Sequence, residues 1–333
     1  MTRGGFLRLF IGLAVSAACI AFLVSIVRGE NVGQSLAAGN PAVLLPAVVL
    51  YFAGTTIRSL RWRYLLGGKP SVLLLFRTLV IGLMLNDLLP GRLGEVARVY
   101  LLARNASIPV GASLASIVVE RVLDGIALIT LLGLGLVVAV ATGSYRAEAF
   151  GGVLVAVAIV GPIFVAATAV LLWAARWPAG ARQLGHLVVR PAPLRPRERL
   201  DRLVDGTVAG LAPIASGATG LTVFLLSLLA WLIEASMYFV IMTGFHVIGG
   251  LAAAALGTAV ANLATLVPSS PGYIGTFDLA LRQVLVGVFG NAGEEADGFT
   301  IVVHLALIVP VVVVGLFFVW REDLSLPELR RRV

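Results

Sequence analysis

Glu120, Arg121 and Asp124 put two carboxylates and a guanidinium within five residues of an otherwise apolar stretch. Residues four apart share a helix face, so Glu120 and Asp124 stand side by side with Arg121 at the edge. At a helix centre in a bilayer each ionised group costs roughly 2.5–3.5 kcal/mol, so three unpaired ones would cost on the order of 8–10 kcal/mol. They must therefore face the protein interior and find partners, and the sequence offers Arg92 and Arg98. Such a set can position a phosphate, exchange protons, or only tie helices together.

Two further apolar stretches are interrupted midway in similar ways. The first reads Asn86-Asp87-Leu88-Leu89-Pro90-Gly91-Arg92-Leu93-Gly94-Glu95, with Arg98 one turn on. The second has Asn262, then Pro268-Ser269-Ser270-Pro271-Gly272, then Gly275, Asp278 and Arg282. Pro90, Gly91 and Gly94 break the first helix, because proline has no N–H to continue it. A helix restarting near Gly94 has free N–H groups and a positive dipole end, which together make an anion site. Arg92 and Arg98 lie close by, and arginine suits bidentate phosphate contact. The second copy is expected to restart at Ser270-Pro271, a good N-cap followed by a good first helical residue. Paired Pro/Gly interruptions in two halves of a membrane chain point to a substrate site. A packing kink with Glu95 and Arg98 paired one turn apart is the competing reading.

The remaining charges need an interior too. Glu234 sits mid-span between Trp231 and Tyr238, where it can carry protons, accept a hydrogen bond or pair with Arg282. Asp278 and Arg282 are four apart and suggest a local pair. Arg58, Arg61 and Arg63 with Trp62 and Tyr64 read as an interfacial anchor, with direct headgroup capture as the alternative.

These groups have to be positioned by membrane helices. Only 13% of the 333 residues are charged and 59% are hydrophobic, against about 25% charged in a soluble domain. A span needs roughly 20 apolar residues, and continuous candidates occur at 6–27, 42–60, 111–140, 151–175, 217–243 and 299–320. The interrupted stretches, 71–104 and 250–289, are each two crossings or one re-entrant hairpin. Segment 94–103, with Glu95 and Arg98 in it, is too short and charged to cross alone, which favours hairpins. The first apolar run has no small-residue cleavage site after it and reads as an uncleaved span.

Arginines collect at Arg3/Arg8, at Arg58–Lys69, through the connector 176–216 and at Arg330-Arg331-Arg332. All four clusters fall on one side if the spans alternate, while Glu294-Glu295-Asp297 falls opposite. Positive-inside logic then puts both termini in the cytoplasm, and the hairpins enter from opposite faces, as in an inverted repeat. The connector reads as solvated, with a short amphipathic helix through Leu200, Leu203 and Leu211. Of the 25 Lys and Arg residues only Lys69 is lysine, which points to a GC-rich bacterial source and its inner membrane. The basic balance belongs to lipid headgroups rather than nucleic acid. A single cysteine, Cys19, excludes a disulfide within the chain. The three histidines lie apart with no ligand spacing, so neither a metal nor a cofactor is expected. No nucleophile elbow, P-loop, zinc-helix or dinucleotide fingerprint supports catalysis.

Taken together, Arg61-Trp62-Arg63, Asn86 through Arg98, Glu120-Arg121 with Asp124, and Pro268 through Asp278 resemble the lysylphosphatidylglycerol synthase transmembrane-region family. This is the flippase-like part of multiple peptide resistance factors, and the resemblance covers about residues 5–322. It implies a polytopic module that moves a lipid, or a lipid-linked group, between leaflets. Relatives are associated with lysyl-phosphatidylglycerol, hopanoids and polyprenyl-phosphate sugars. The two-part relatives carry a soluble aminoacyl-transfer domain after the membrane part; here the chain ends at Val333, so synthesis of an aminoacyl lipid is not expected of it alone.

The expectation is one all-α transmembrane domain over 1–333, in halves 1–150 and 217–322, with six spans and two inverted re-entrant hairpins. It is expected to move an anionic lipid and not to be an enzyme. Arg92, Arg98, Arg121, Asn86, Asn262, Ser269 and Ser270 would bind the substrate. Glu95, Glu120, Asp124, Glu234, Asp278 and Arg282 would form the charge or coupling network. Pro90, Gly91, Gly94, Pro268, Pro271 and Gly272 would break the hairpins, and Gly91, Gly94, Gly272 and Gly275 would let them shift. Two alternatives stand beside it: a membrane enzyme acting on lipid phosphates, and a partner that recruits a lipid synthase through 176–216. Self-assembly is left open.

Overall fold

The computed structural model describes residues 39–89, 92–191, 193–266 and 271–321. The first expected span, Pro90, Gly91, Pro268, Ser269, Ser270 and the arginine tail lie outside the described residues.

Helix follows helix, joined by short turns. In chain order these are α1 (Leu44–Leu65), α2 (Val72–Leu88), α3 (Leu93–Ala106), α4 (Val110–Thr142), α5 (Ala147–Arg176) and α6 (Pro178–Val189). Then come α7 (Leu194–Gly210), α8 (Ala212–Ala215), α9 (Gly217–Phe245), α10 (Gly250–Ala264), α11 (Thr276–Gln283) and α12 (Gly293–Arg321). Five helical stretches are long and apolar enough to cross a membrane: Pro41–Leu65, Val110–Thr142, Ala158–Arg176, Gly217–Phe245 and Gly293–Arg321. They coincide with the five continuous spans expected between residues 42 and 320.

The interrupted stretches are each helix, break, helix. Ser71 caps α2 by accepting from the Leu74 N–H at 3.2 Å. At the other end Leu89 is extended, φ −122° and ψ 143°, as the residue before a proline must be. Arg92 then takes a left-handed conformation, φ 55°, and α3 starts at Leu93. The second break behaves differently from the sequence expectation. Pro271–Tyr273 form one 3-10 turn, and α11 starts only at Thr276, with the Asp278 carboxylate accepting from the Gly275 N–H at 2.9 Å. Pro271 therefore opens a 3-10 turn rather than α11 itself.

α1 lies along α9, α4 against α10, α2 against both α3 and α12. The core runs between them through Met84, Leu131, Tyr238, Ile241 and Phe299, all buried. A smaller cluster around Trp62, Leu75, Leu102 and Val223 closes one end.

The connector folds as α6, α7 and the single turn α8, with α7 packed on α4. His186 of α6 joins them: Nδ1 is 2.5 Å from Asp201 Oδ1 and Nε2 is 3.1 Å from Asp205 Oδ1. Those two carboxylates, which also meet Arg197 and Arg182 at 3.7 and 3.9 Å, raise the imidazole's pKa through hydrogen bonds to its charged form. A raised folded value stabilises the pairing fully below the ordinary value of about 6.5 and loses that contribution as pH rises through the folded value. Spin labels at Gln183 and Arg199 should accordingly show a broadening α6–α7 distance as pH rises, and His186→Gln should remove the dependence. An unchanged wild-type distance across that range would refute it.

Candidate functional site: a polar cavity between the two breaks

The two breaks meet. Arg92 donates through Nη2 to the Thr265 carbonyl at 2.7 Å, at the end of α10. Its guanidinium lies 5.8 Å from the Tyr273 ring centroid, and the Pro271–Tyr273 turn packs on α2. Behind this junction lies a cavity of about 170 Å³. Its wall includes Asn86 and Asp87 of α2, Glu120, Arg121 and Asp124 of α4, Glu234 of α9, Asn262 of α10 and His304 of α12.

α2 and α3 approach closely because Gly94 has no side chain. A Cβ there would lie 1.8 Å from the Gly82 carbonyl oxygen. The contact lets Asn86 Oδ1 accept from the Gly94 N–H at 2.9 Å, satisfying a donor left free at the helix start. It also lets Arg98 lie over Gly82 and reach α4.

There the carboxylates find their partners. Arg98 grips Glu120 with both terminal nitrogens, at 2.9 and 2.7 Å, and stacks 4.1 Å from the Trp62 ring centroid. Arg61 bonds Asp124 through Nη1, donates to Ser227 Oγ at 2.8 Å and stands 3.6 Å from Glu120. Trp231 Nε1 donates to Asp124 at 3.2 Å. Arg58 meets Glu234 at 2.6 Å and lies 4.6 Å over Trp231, while Asn262 donates to the other Glu234 oxygen at 3.2 Å.

Several expectations change. Arg61 and Trp62 are both 0% exposed, so of the supposed interfacial anchor only Arg63 and Tyr64 remain exposed. α1 instead turns Tyr51, Thr55, Ser59 and Trp62 inward; Thr55 and Ser59 accommodate burial by donating to carbonyls four residues back. That face, small and polar at intervals of four, was the available signal. Glu234 pairs with Arg58 and not with Arg282. Asp278 and Arg282 do not pair with each other: Arg282 Nε reaches Asp297 at 2.7 Å, and Asp278 bonds His304 at 2.6 Å. His304, unused by the sequence reading, stood out as an ionisable residue inside an apolar span.

Availability separates the arginines. Arg98 is 2% exposed and spends both terminal nitrogens on Glu120, so its fork is not free to hold a phosphate. The Arg92 and Arg121 side chains keep 33% and 39% exposure and share Glu95, at 3.8 and 3.7 Å. Arg121 also meets Glu120 at 2.8 Å, a carboxylate already claimed by Arg98.

Comparison with known proteins agrees with this membrane architecture. A UPF0104 membrane protein of Methanothermobacter thermautotrophicus is 24% identical over 321 residues, 93% of this chain and 92% of the relative. Glycosyltransferase AglD of Haloferax volcanii is 25% identical over 305 residues, 83% of this chain; the match spans 48% of that relative's length. A UPF0104 membrane protein of Methanocaldococcus jannaschii is 29% identical over 117 residues, 34% of this chain and 35% of the relative. No solved structure matches significantly. Residues 9–315 match the family described as lysylphosphatidylglycerol synthase TM region, and the chain belongs to that family.

Proposed function

We propose that the protein moves an anionic lipid, or a lipid carrying a phosphate-linked group, between leaflets through the cavity at the two breaks. The observation that carries this reading is the pair Arg92 and Arg121. They are partly exposed guanidiniums that share one carboxylate, Glu95, beside a set of arginines already neutralised by Glu120, Asp124 and Glu234. An arriving phosphate takes Glu95's place and gains charge-assisted bonds to both. In this reading the helix pairs are re-entrant, enter from opposite faces as an inverted repeat, and sit in a plasma membrane with both termini cytoplasmic. The chain moves its lipid without chemical turnover. The relative named as a glycosyltransferase keeps glycosylated lipid phosphates among the cargos to test.

The test is leaflet accessibility of fluorescent phosphatidylglycerol and polyprenyl-phosphate probes in proteoliposomes. Wild type should speed equilibration of at least one probe. Arg92→Ala and Arg121→Ala should each slow it by roughly tenfold or more, since one lost charge-assisted bond is worth about 1.5–3 kcal/mol. Both variants keep the Arg98–Glu120 and Arg61–Asp124 pairs and should remain folded. Movement of no anionic probe by folded wild-type protein would reject the reading.

A further inference from the structure

Between Asp297 and Arg321, His304 is the sole titratable residue of α12. The residue is 5% exposed, and its ring rests 4.7 Å from the Phe277 ring. Both nitrogens face acceptors: Nε2 is 2.8 Å from the Gly272 carbonyl oxygen, and Nδ1 is 2.6 Å from Asp278 Oδ1. A carbonyl only accepts, so Nε2 must donate. The other contact then has no proton of its own, because a neutral ring protonated on Nε2 would turn a lone pair toward a carboxylate. One extra proton must lie between Nδ1 and Oδ1. Asp278 has its other oxygen occupied by the Gly275 N–H at 2.9 Å.

We propose that His304 and Asp278 form a proton-binding site that ties proton uptake to the position of the second break, making lipid movement depend on protons. The inference rests on the lipid-moving reading of the cavity. What the proton holds is specific. Gly272 and Tyr273 are successive left-handed residues, φ 65° and 58°, a conformation that is not self-supporting for tyrosine. The His304 Nε2 bond fixes the turn they make, and that turn carries the Tyr273 ring beside Arg92. When the shared proton leaves, the ring cannot satisfy both acceptors. Either the carboxylate moves with the start of α11, or the turn is released and Arg92 loses its neighbour. Proton and phosphate thereby act on the same few residues.

The other ionisable groups around the ring are one further carboxyl and groups already paired. From α2, Asp87 faces it as that second acidic group. Across the cavity α1 and α9 present Arg58 and Glu234, bonded to each other, and Arg92 is held on the Thr265 carbonyl. Arg282 of α11 is turned to Asp297, and the π-helical turn Val284–Val288 contributes no ionisable group.

Two variants keep the hydrogen bonds and remove the shared proton. In Asp278→Asn the amide can donate to a neutral Nδ1. In His304→Gln one NH2 group can donate to both acceptors. Each is first checked for folding by size exclusion and circular dichroism. In proteoliposomes, wild-type probe movement should change about tenfold between about pH 6 and about pH 9, and in either variant by less than about twofold. Independently, histidine-labelled protein has three imidazoles, His186, His246 and His304, which His186→Gln and His246→Gln assign by nitrogen NMR. The His304 signals should show both nitrogens protonated, then lose one proton in step with transport, and Asp278→Asn should abolish the doubly protonated form. A ring singly protonated throughout, or an unaltered transport profile in the variants, would overturn the proposal. If wild type moves no probe at any pH, the transport reading fails by itself, and the NMR titration still decides whether the proton site exists.

Discussion

Glu120→Ala should leave a protein that barely folds. The carboxylate is 2% exposed, held bidentately by Arg98 and contacted by Arg121 at 2.8 Å and Arg61 at 3.6 Å. Truncating it strands the almost wholly enclosed Arg98, whose carboxylate partner is Glu120, while Arg61 keeps Asp124; removing one partner of a buried pair costs about 3–5 kcal/mol. That is a large share of the roughly 5–15 kcal/mol that holds a typical domain folded. Glu120→Gln should be milder, since an amide oxygen can still accept one bond. Fluorescence-monitored thermal unfolding in detergent decides the matter: an alanine variant melting within about 2 °C of wild type would contradict the role given to this carboxylate.

Gly94→Ala should be nearly as damaging, for a steric reason. The new Cβ would meet the Gly82 carbonyl oxygen at 1.8 Å and Asn86 Oδ1 at 2.7 Å. The first of these is backbone and cannot rotate away. α2 and α3 would have to separate, breaking the Asn86 bond to the Gly94 N–H and carrying Arg98 off Glu120. Overpacking of this kind costs about 1–3 kcal/mol before the displaced ion pair is counted. Gly133→Ala is the control, because a Cβ there meets nothing within 4 Å. If the two alanine variants melt alike, the close contact of α2 and α3 does not hold.

Much of the architecture was open to reading in one dimension. A span announces itself by length and apolarity, so the five continuous crossings between residues 42 and 320 coincide with long helices. The breaks are equally local: Pro90 constrains Leu89, and Gly272 takes a positive φ. Burial energetics also went far, since Glu120 and Asp124 could not stay unpaired in an apolar helix, and Arg98 was among the partners named for them. The choice of partner was harder. Arg58 and Arg61 sit one turn apart on a helix end that also holds Arg63, Trp62 and Tyr64, a pattern that an interfacial belt shares with a buried network. Asp278 and Arg282 have helical spacing for a local pair, yet each prefers a group from α12.

What the sequence by itself determined was a helical membrane chain, where its helices break, and that its mid-span charges must be neutralised inside. Periodicity, chain stereochemistry and transfer energy are properties of short segments. Only the tertiary structure decided which arginine meets which carboxylate across helices, because those choices join residues 15 to 176 positions apart and follow from how α1, α3, α4, α9, α11 and α12 pack. The same packing left Arg92 and Arg121 with one shared carboxylate and set His304 between two acceptors. A charge is written in the sequence, but whether it is spent on a neighbour or kept for a ligand depends on what the fold brings within reach.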